Sequence, residues 1–293
     1  MEIHSRSVLR ALILVSLLGV GILLRSVQAL KVDTGQPVWK PWPATTIATL
    51  YFSDGRFLFP VSRRMRSNAD LPHAALQALL AGPSAASGLK NPISPGIQIR
   101  SLLLENGVAH VDLSADPDRQ GATHAAETTI VETMTALRGV TSVELSVQGK
   151  PLGRSTKRVP LLYFASANGL VAIPVTVVKP REALDLYLSG PPAPDLTGLP
   201  PDVRLLGYDY NLANGSLSLK FSYTPSLRAL AIDRPDRMRT VLLGLIASLT
   251  EFSEVRAVQL DFGGQTRLGL GQCSDLLRTP QPRPALLNDE RLL

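Results

Sequence analysis

The sequence predicts an α+β chain: two tandem, homologous two-layer modules, each with two helices packed on one sheet, after an N-terminal hydrophobic segment. Three observations carry this reading. Residues 50–270 say nearly the same thing twice: Leu50-Tyr51-Phe52-Ser53 returns as Leu162-Tyr163-Phe164-Ala165, and Leu80-Ala81-Gly82-Pro83 as Leu188-Ser189-Gly190-Pro191. Strand-period and helix-period stretches follow one another in the same order in both copies. Hydrophobic content of 45% against 18% charged residues is that of a globular chain. A repeat of about 110 residues is too long for a solenoid unit of roughly 20–50 residues and has the size of a domain. The modules are placed at 47–155 and 159–270.

Module one opens with a strand over 47–53, ended by the hairpin signal Asp54-Gly55, with 57–61 as its partner. Residues 71–81 read as a helix, because Leu71, Ala75, Ala78 and Leu79 recur at spacings of three and four. Asp70 stands at the cap position, Pro72 lies in the first turn and Gly82-Pro83 stops it. A second hairpin joins 97–105 to 108–114 across Asn106-Gly107, and Asn214-Gly215 repeats that turn. Ala109, Val111 and Leu113 alternate with polar positions, as do Leu217, Leu219 and Phe221 at a constant offset, so period two sends both trios to a buried face. A longer helix over 122–137 carries Ala122, Ala126, Ile130, Met134 and Leu137 on one stripe. Its counterpart over 235–252 carries Met238, Leu242, Leu245, Leu249 and Phe252. The closing strands bring the trios Val143, Leu145, Val147 and Val258, Leu260, Phe262.

Outside the repeat, Arg6 and Arg10 precede the apolar run 11–24, closed by Arg25. Fourteen residues suit a secretory h-region and fall short of the roughly 20 of a comfortable transmembrane helix. Residues 1–29 are thus a signal peptide cut after Ala29 or, with Val8 and Leu9 included, a retained short membrane anchor. Residues 30–46, with Trp39, Trp42 and three prolines, read as an extended linker. Residues 271–293 have no sustained apolar stripe and three prolines between 280 and 284, so a flexible tail is expected. The lone Cys273 permits no intramolecular disulfide and reads as an inert thiol.

Chemistry is sparse. A net charge of +6 is not gathered into one block, and Arg63-Arg64-Met65-Arg66 lacks interleaved aromatics, so a solvated loop or anionic-surface contact is expected and no nucleic-acid partner. His4 belongs to the targeting segment and His73 to a first helical turn. His110 and Asp112 on a strand, with His124 and Glu127 one helical turn apart, have the residue types of a His/carboxylate metal site if their elements converge. Each also suits a solvated polar face, and Ser218 and Lys220 stand at the places of His110 and Asp112 in module two. No nucleophile elbow or phosphate loop in its required context occurs. No catalytic residue, metal ligand or cofactor is therefore assigned.

The opening Leu-Tyr-Phe (50–52), the Leu-Leu-Ala-Gly-Pro helix end (79–83), the strand Gly-Val-Ala-His-Val-Asp-Leu-Ser (107–114) and the closing Val-Gln-Gly-Lys-Pro-Leu-Gly (147–153) resemble the GerMN domain family, with a looser match in module two. The resemblance covers about residues 47–270. It implies a non-catalytic protein of the cell envelope in a sporulation, germination or envelope-assembly role. Its modules would look like the ring-building motifs of secretion systems, and its partners would be envelope or cell-wall-associated proteins, ring-type copies of itself or peptidoglycan. No cysteine stands directly after the h-region, so a tether would be the N-terminal segment itself, on the outer face of the cytoplasmic membrane, and a cleaved chain would be secreted. The competing expectation is an envelope enzyme or a metal- or ligand-binding sensor built on His110, Asp112, His124 and Glu127.

Overall fold

A computed structural model describes residues 45–66, 70–118, 124–263, 270 and 273–293. The signal or anchor segment, the tryptophan linker and Ala122 lie outside the described residues.

Strands β1 (Thr45–Ser53) and β2 (Leu58–Arg66) form the first hairpin, in register from Thr45 opposite Arg66 to Ser53 opposite Leu58. Its turn is fastened by Asp54, whose Oδ1 accepts the N–H groups of Arg56 and Phe57 at 2.7 and 2.8 Å. Helix α1 follows at Leu71–Ala81, with the predicted bounds. Strands β3 (Ile99–Glu105) and β4 (Val108–Leu113) turn on Asn106 and Gly107, whose φ values of 50° and 83° are those an Asn-Gly hairpin adopts. Helix α2 (Ala125–Thr135) then crosses over to β5 (Ser142–Val147), which runs parallel to β4, and β6 (Lys150–Lys157) returns antiparallel.

Module two repeats this as β7 (Leu161–Ser166), β8 (Gly169–Pro174), α3 (Pro180–Leu188), β9 (Leu205–Asn211), β10 (Ser216–Phe221), α4 (Pro225–Asp233), α5 (Pro235–Leu249) and β11 (Ala257–Phe262), the last again parallel to the hairpin strand before it. Helix α4 has no counterpart among the described helices of module one. The chain closes with α6 (Ser274–Arg278) and β12 (Gln281–Pro282).

The α+β class and the duplication hold. Ala109, Val111 and Leu113 are buried with Ala126, Ile130 and Met134 of α2, and Leu217, Leu219 and Phe221 with Met238, Leu242 and Leu245 of α5. Of the closing trios, Val147 alone is only half-buried.

The strands, however, are distributed over three sheets. One holds β3-β4-β5-β6 and another β12-β11-β10-β9, while the two opening hairpins join in a third of order β1-β2-β8-β7. The modules therefore share a sheet within one compact unit. The reason is visible in the side chains of β1 and β7, which are apolar without alternation: Leu50, Tyr51 and Phe52, and Leu161 through Ala165, are all buried. Leu50 and Phe52 face the core of module one, and Leu162 and Phe164 that of module two. Tyr51, Leu161 and Tyr163, on the opposite faces, meet in a third cluster between the modules.

The tail is also corrected. Cys273, Leu276 and Leu277 are buried in the core of module two, β12 pairs with β11, and Leu287 enters the cluster between the modules. These leucines make no single periodic stripe because they are divided between two clusters, Leu276 and Leu277 in the core of module two and Leu287 between the modules.

Candidate functional site

His110, Asp112, His124 and Glu127 do not converge into one group. His110 faces its register partner Glu144 on β5, with Nδ1 3.0 Å from Oε2. The Oδ1 of Asp112 accepts the Gly149 N–H at 2.9 Å and the Ser146 hydroxyl at 3.0 Å, while its Oδ2 lies 3.2 Å from the Arg100 Nε. The Gly149 N–H first, then Ser146 and Arg100, hold the Asp112 carboxyl below its usual range. Asp112 thus pins the β5–β6 turn, a structural task. His124 and Glu127 do come together, but with Asp118, which the sequence reading passed over: their ligand atoms lie within 4.8 Å of one another. His73 stands apart, 3.7 Å from Asp70.

Arg63 is not solvated. Its guanidinium grips both carboxylate oxygens of Glu290 at 2.8 and 2.9 Å, donates to the carbonyls of Ala78 and Gly82 at the end of α1, and lies over the Phe52 ring. Only Arg64 and Arg66 of that run are exposed, and they stand on a strand rather than a loop.

The densest polar chemistry lies at the seam of the modules. The hydroxyls of Tyr51 and Tyr163, equivalent residues of the repeat, are 2.9 Å apart and fully buried. Each tyrosine is held in the same way. The Tyr51 N–H donates to Thr133 Oγ1 of α2 at 3.0 Å, and the Tyr163 N–H to Ser248 Oγ of α5 at 2.8 Å. Helix α5 can approach this closely because of Gly244, where a Cβ would sit 2.4 Å from the Tyr163 carbonyl oxygen.

Tyr163 donates its hydroxyl to Glu251 Oε1 at 2.7 Å. Glu251, whose side chain has no exposure, is bridged by Arg283 at 2.5 Å and by Arg158. Arg283 also donates to the Tyr163 hydroxyl at 3.0 Å, and both arginines reach backbone carbonyls at helix ends. Burial, then the Glu251 charge, pushes the phenol of Tyr163 well up, and burial and Glu251 do the same at Tyr51. A second acid, Glu132 of α2, is 3% exposed, and its Oε2 has no hydrogen-bond partner among the described residues. Burial raises its carboxyl to about 7, with Arg158 opposing the rise and Glu251 adding to it.

The tail completes the seam. Strands β2 and β8 pair only at Leu58 opposite Ala172, because Pro60 has no N–H to continue the ladder. The Asn288 amide takes the missing place: Nδ2 donates to the Pro60 and Leu170 carbonyls at 2.9 and 2.8 Å, and Oδ1 accepts the Leu170 N–H at 2.8 Å.

Sequence reasoning missed Asn288, Arg158, Arg283, Glu132, Glu251 and Asp118. A usable signal existed for Tyr51 and Tyr163, which repeat inside unbroken apolar runs, where a strand is covered on both faces.

With this architecture in view, the comparison that decides kinship is the family model described as Germane, sporulation and spore germination, which matches residues 49–153 and again 161–268. The chain belongs to that family, the GerMN family. Both matches fall on the duplicated arrangement, one on each module. The tandem GerMN domains of the sporulation protein GerM from Bacillus subtilis share the fold at a TM-score of 0.62 and 15% identity, over 84% of this chain and 99% of that one. The first GerMN domain of the same protein aligns at a TM-score of 0.31 with 15% identity, over 36% of this chain and 86% of that one. A putative lipoprotein from Clostridium perfringens aligns at 0.29 with 17% identity, over 39% and 89%. No curated protein matches the chain. Among the described residues, no helix of this GerMN protein is long and apolar enough to cross a membrane.

Proposed function

We propose that this tandem GerMN protein is a non-catalytic component of the cell envelope, exported by its N-terminal segment, that works through contacts with other envelope or cell-wall-associated proteins in a sporulation- or germination-type process. One observation carries the reading. The two modules agree in what they bury and differ in what they show: the trios Ala109, Val111, Leu113 and Leu217, Leu219, Phe221 are equivalent, while on the outer faces His110 gives way to Ser218 and the exposed Lys220 stands where module one has the turn-pinning Asp112. A duplication that keeps its frame and varies its surface suits a scaffold whose partners are chosen by that surface. The polar residues of the seam support this, because they brace one module against the other. Exposed leucines on the outermost strands β3 and β9, Leu103 and Leu206, and Leu212 just beyond β9, add apolar contact area.

Crosslinking of the full chain in intact cells, followed by purification under denaturing conditions, tests the reading. It expects discrete adducts with envelope proteins; recovery of the chain uncrosslinked at every crosslinker length overturns it. Binding to purified peptidoglycan separates a wall partner from a protein one. A reporter enzyme active only outside the cytoplasm, fused after Leu293, tests export, and activity of a cytoplasmic reporter instead removes the envelope reading.

A further inference from the structure

We propose that Asp118, His124 and Glu127 of module one form a binding site for one divalent transition-metal ion, zinc in the first instance. His124 immediately precedes α2, and Glu127 lies one turn on, on the same side of the helix. Asp118 arrives from the loop after β4. Its Oδ1 accepts the Ala126 N–H at 3.0 Å, which fixes the carboxylate over the first turn and leaves Oδ2 facing the imidazole. The His124 Nδ1 then stands 3.7 Å from Asp118 Oδ2 and 3.5 Å from Glu127 Oε2.

Those separations, with all three donor atoms within 4.8 Å of one another, set the geometry of the site. They are longer than the roughly 2.7–3.2 Å of a direct N–H···O hydrogen bond and lie in the range of an ion pair between a carboxylate and a protonated imidazole. They also match the spacing of about 3.4 Å between donors that share a tetrahedral ion at bond lengths of about 2.0–2.1 Å. The attraction of acids to a helix N-terminus accounts for the Asp118 cap and for Glu127 in the first turn; the imidazole nitrogen turned on both adds the donor type that a transition metal takes and that a helix N-terminus does not require.

Donor chemistry narrows the ion. One imidazole nitrogen with two carboxylate oxygens suits zinc or its transition-metal neighbours better than magnesium or calcium, which prefer all-oxygen shells. The side chains of Asp118 and Glu127 are only 16% and 9% exposed, while His124 is 61% exposed, so the acids sit back and the imidazole closes the site from the solvent side. Three protein donors leave a fourth position for water or for a donor from a partner.

Calorimetric titration of the untagged full chain in detergent with zinc chloride tests the proposal. One ion per chain is expected, with no uptake of magnesium. Because loss of an outer-shell partner alone weakens metal binding about 10–100-fold, His124→Ala and Glu127→Gln should each weaken it at least about 100-fold. His73→Ala and His110→Ala should leave it unchanged. Circular dichroism of each variant establishes that the fold is retained, and cobalt in place of zinc should give the intense visible bands of a tetrahedral ion. Absence of zinc uptake by the wild-type chain, or uptake unaltered by both His124→Ala and Glu127→Gln, overturns the site.

Discussion

The hydroxyls of Tyr51 and Tyr163 meet at 2.9 Å although the residues are 112 positions apart. They occupy equivalent places in the two modules, so the repeat closes on itself at this pair, each tyrosine steadied by a hydroxyl of its own module's helix. The symmetry stops there. Among the described residues only Tyr163 continues into charge, through Glu251, Arg158 and Arg283. A buried charge group of this kind is stable only while every member keeps its partners.

That asymmetry sets the order of two substitutions. Tyr163→Phe takes one hydrogen bond each from Glu251 and Arg283 as well as from Tyr51, whereas Tyr51→Phe removes the tyrosine pair alone. Loss of about 1 kcal/mol is expected for Tyr51→Phe and about 2–4 kcal/mol for Tyr163→Phe, since bonds to charged groups are worth more. Urea unfolding of both variants checks this. Equal losses would mean that the charge group does not lean on the Tyr163 hydroxyl.

Glu132 gives the protein a pH dependence of known sign. Its carboxyl rises from 4.5 to about 7 on folding, chiefly because burial disfavours the charged form. Between those values the folded chain holds a proton that the unfolded chain has released, so this residue's contribution is fully present below about pH 4.5 and is lost as pH rises through about 7. The slope approaches about 1.4 kcal/mol per pH unit, roughly 3 kcal/mol in all. Glu132→Gln mimics the protonated form, so the difference in stability between variant and wild type should grow with pH over that window. A difference that stays flat from pH 5 to 8 would show that Glu132 is ionised throughout.

The frame was legible from the sequence where side chains alternate or recur on a stripe. Helix 71–81 and the trios at Leu113 and Phe221 have the faces their periods assign them, because a local pattern fixes a local face. The shared sheet was not read, since period alone does not say which sheet a strand joins; the unbroken run 161–165 pointed to burial on both faces. At the candidate metal site, His124 and Glu127 were legible as a helical pair, but Asp118 comes from outside the helix and only the folded loop presents it. The buried tail escaped notice for a like reason. Leu276 is held by the core of module two, and Leu287 and Asn288 by the cluster and the backbone groups that the two modules bring together.

Deletion of residues 271–293 should therefore be far from silent. It removes Arg283 from Glu251, Glu290 from Arg63, and the buried Leu276, Leu277 and Leu287. Full burial of a leucine is worth about 1.5–3 kcal/mol, so the truncated chain should lose several kcal/mol and expose its seam to protease. A truncated chain within about 0.5 kcal/mol of the wild type, the range of ordinary surface changes, would show that the tail is only laid on the surface.

Asn288 isolates the bridging part of that effect. Its amide makes three hydrogen bonds to the backbone of Pro60 and Leu170, in the gap that Pro60 opens between β2 and β8. Asn288→Ala leaves two buried carbonyls and one N–H without those partners, at about 1–3 kcal/mol for each group that water does not reach. Asn288→Asp tests geometry against chemistry: it keeps the acceptor for the Leu170 N–H but turns a carboxylate oxygen on two carbonyls, so it should be at least as damaging at neutral pH and recover as the new acid is protonated. Amide hydrogen exchange at Leu170 reads the same contact directly, and should accelerate in both variants. If exchange at Leu170 is unchanged while global stability falls, Asn288 acts by packing and not as the missing rung between the two strands.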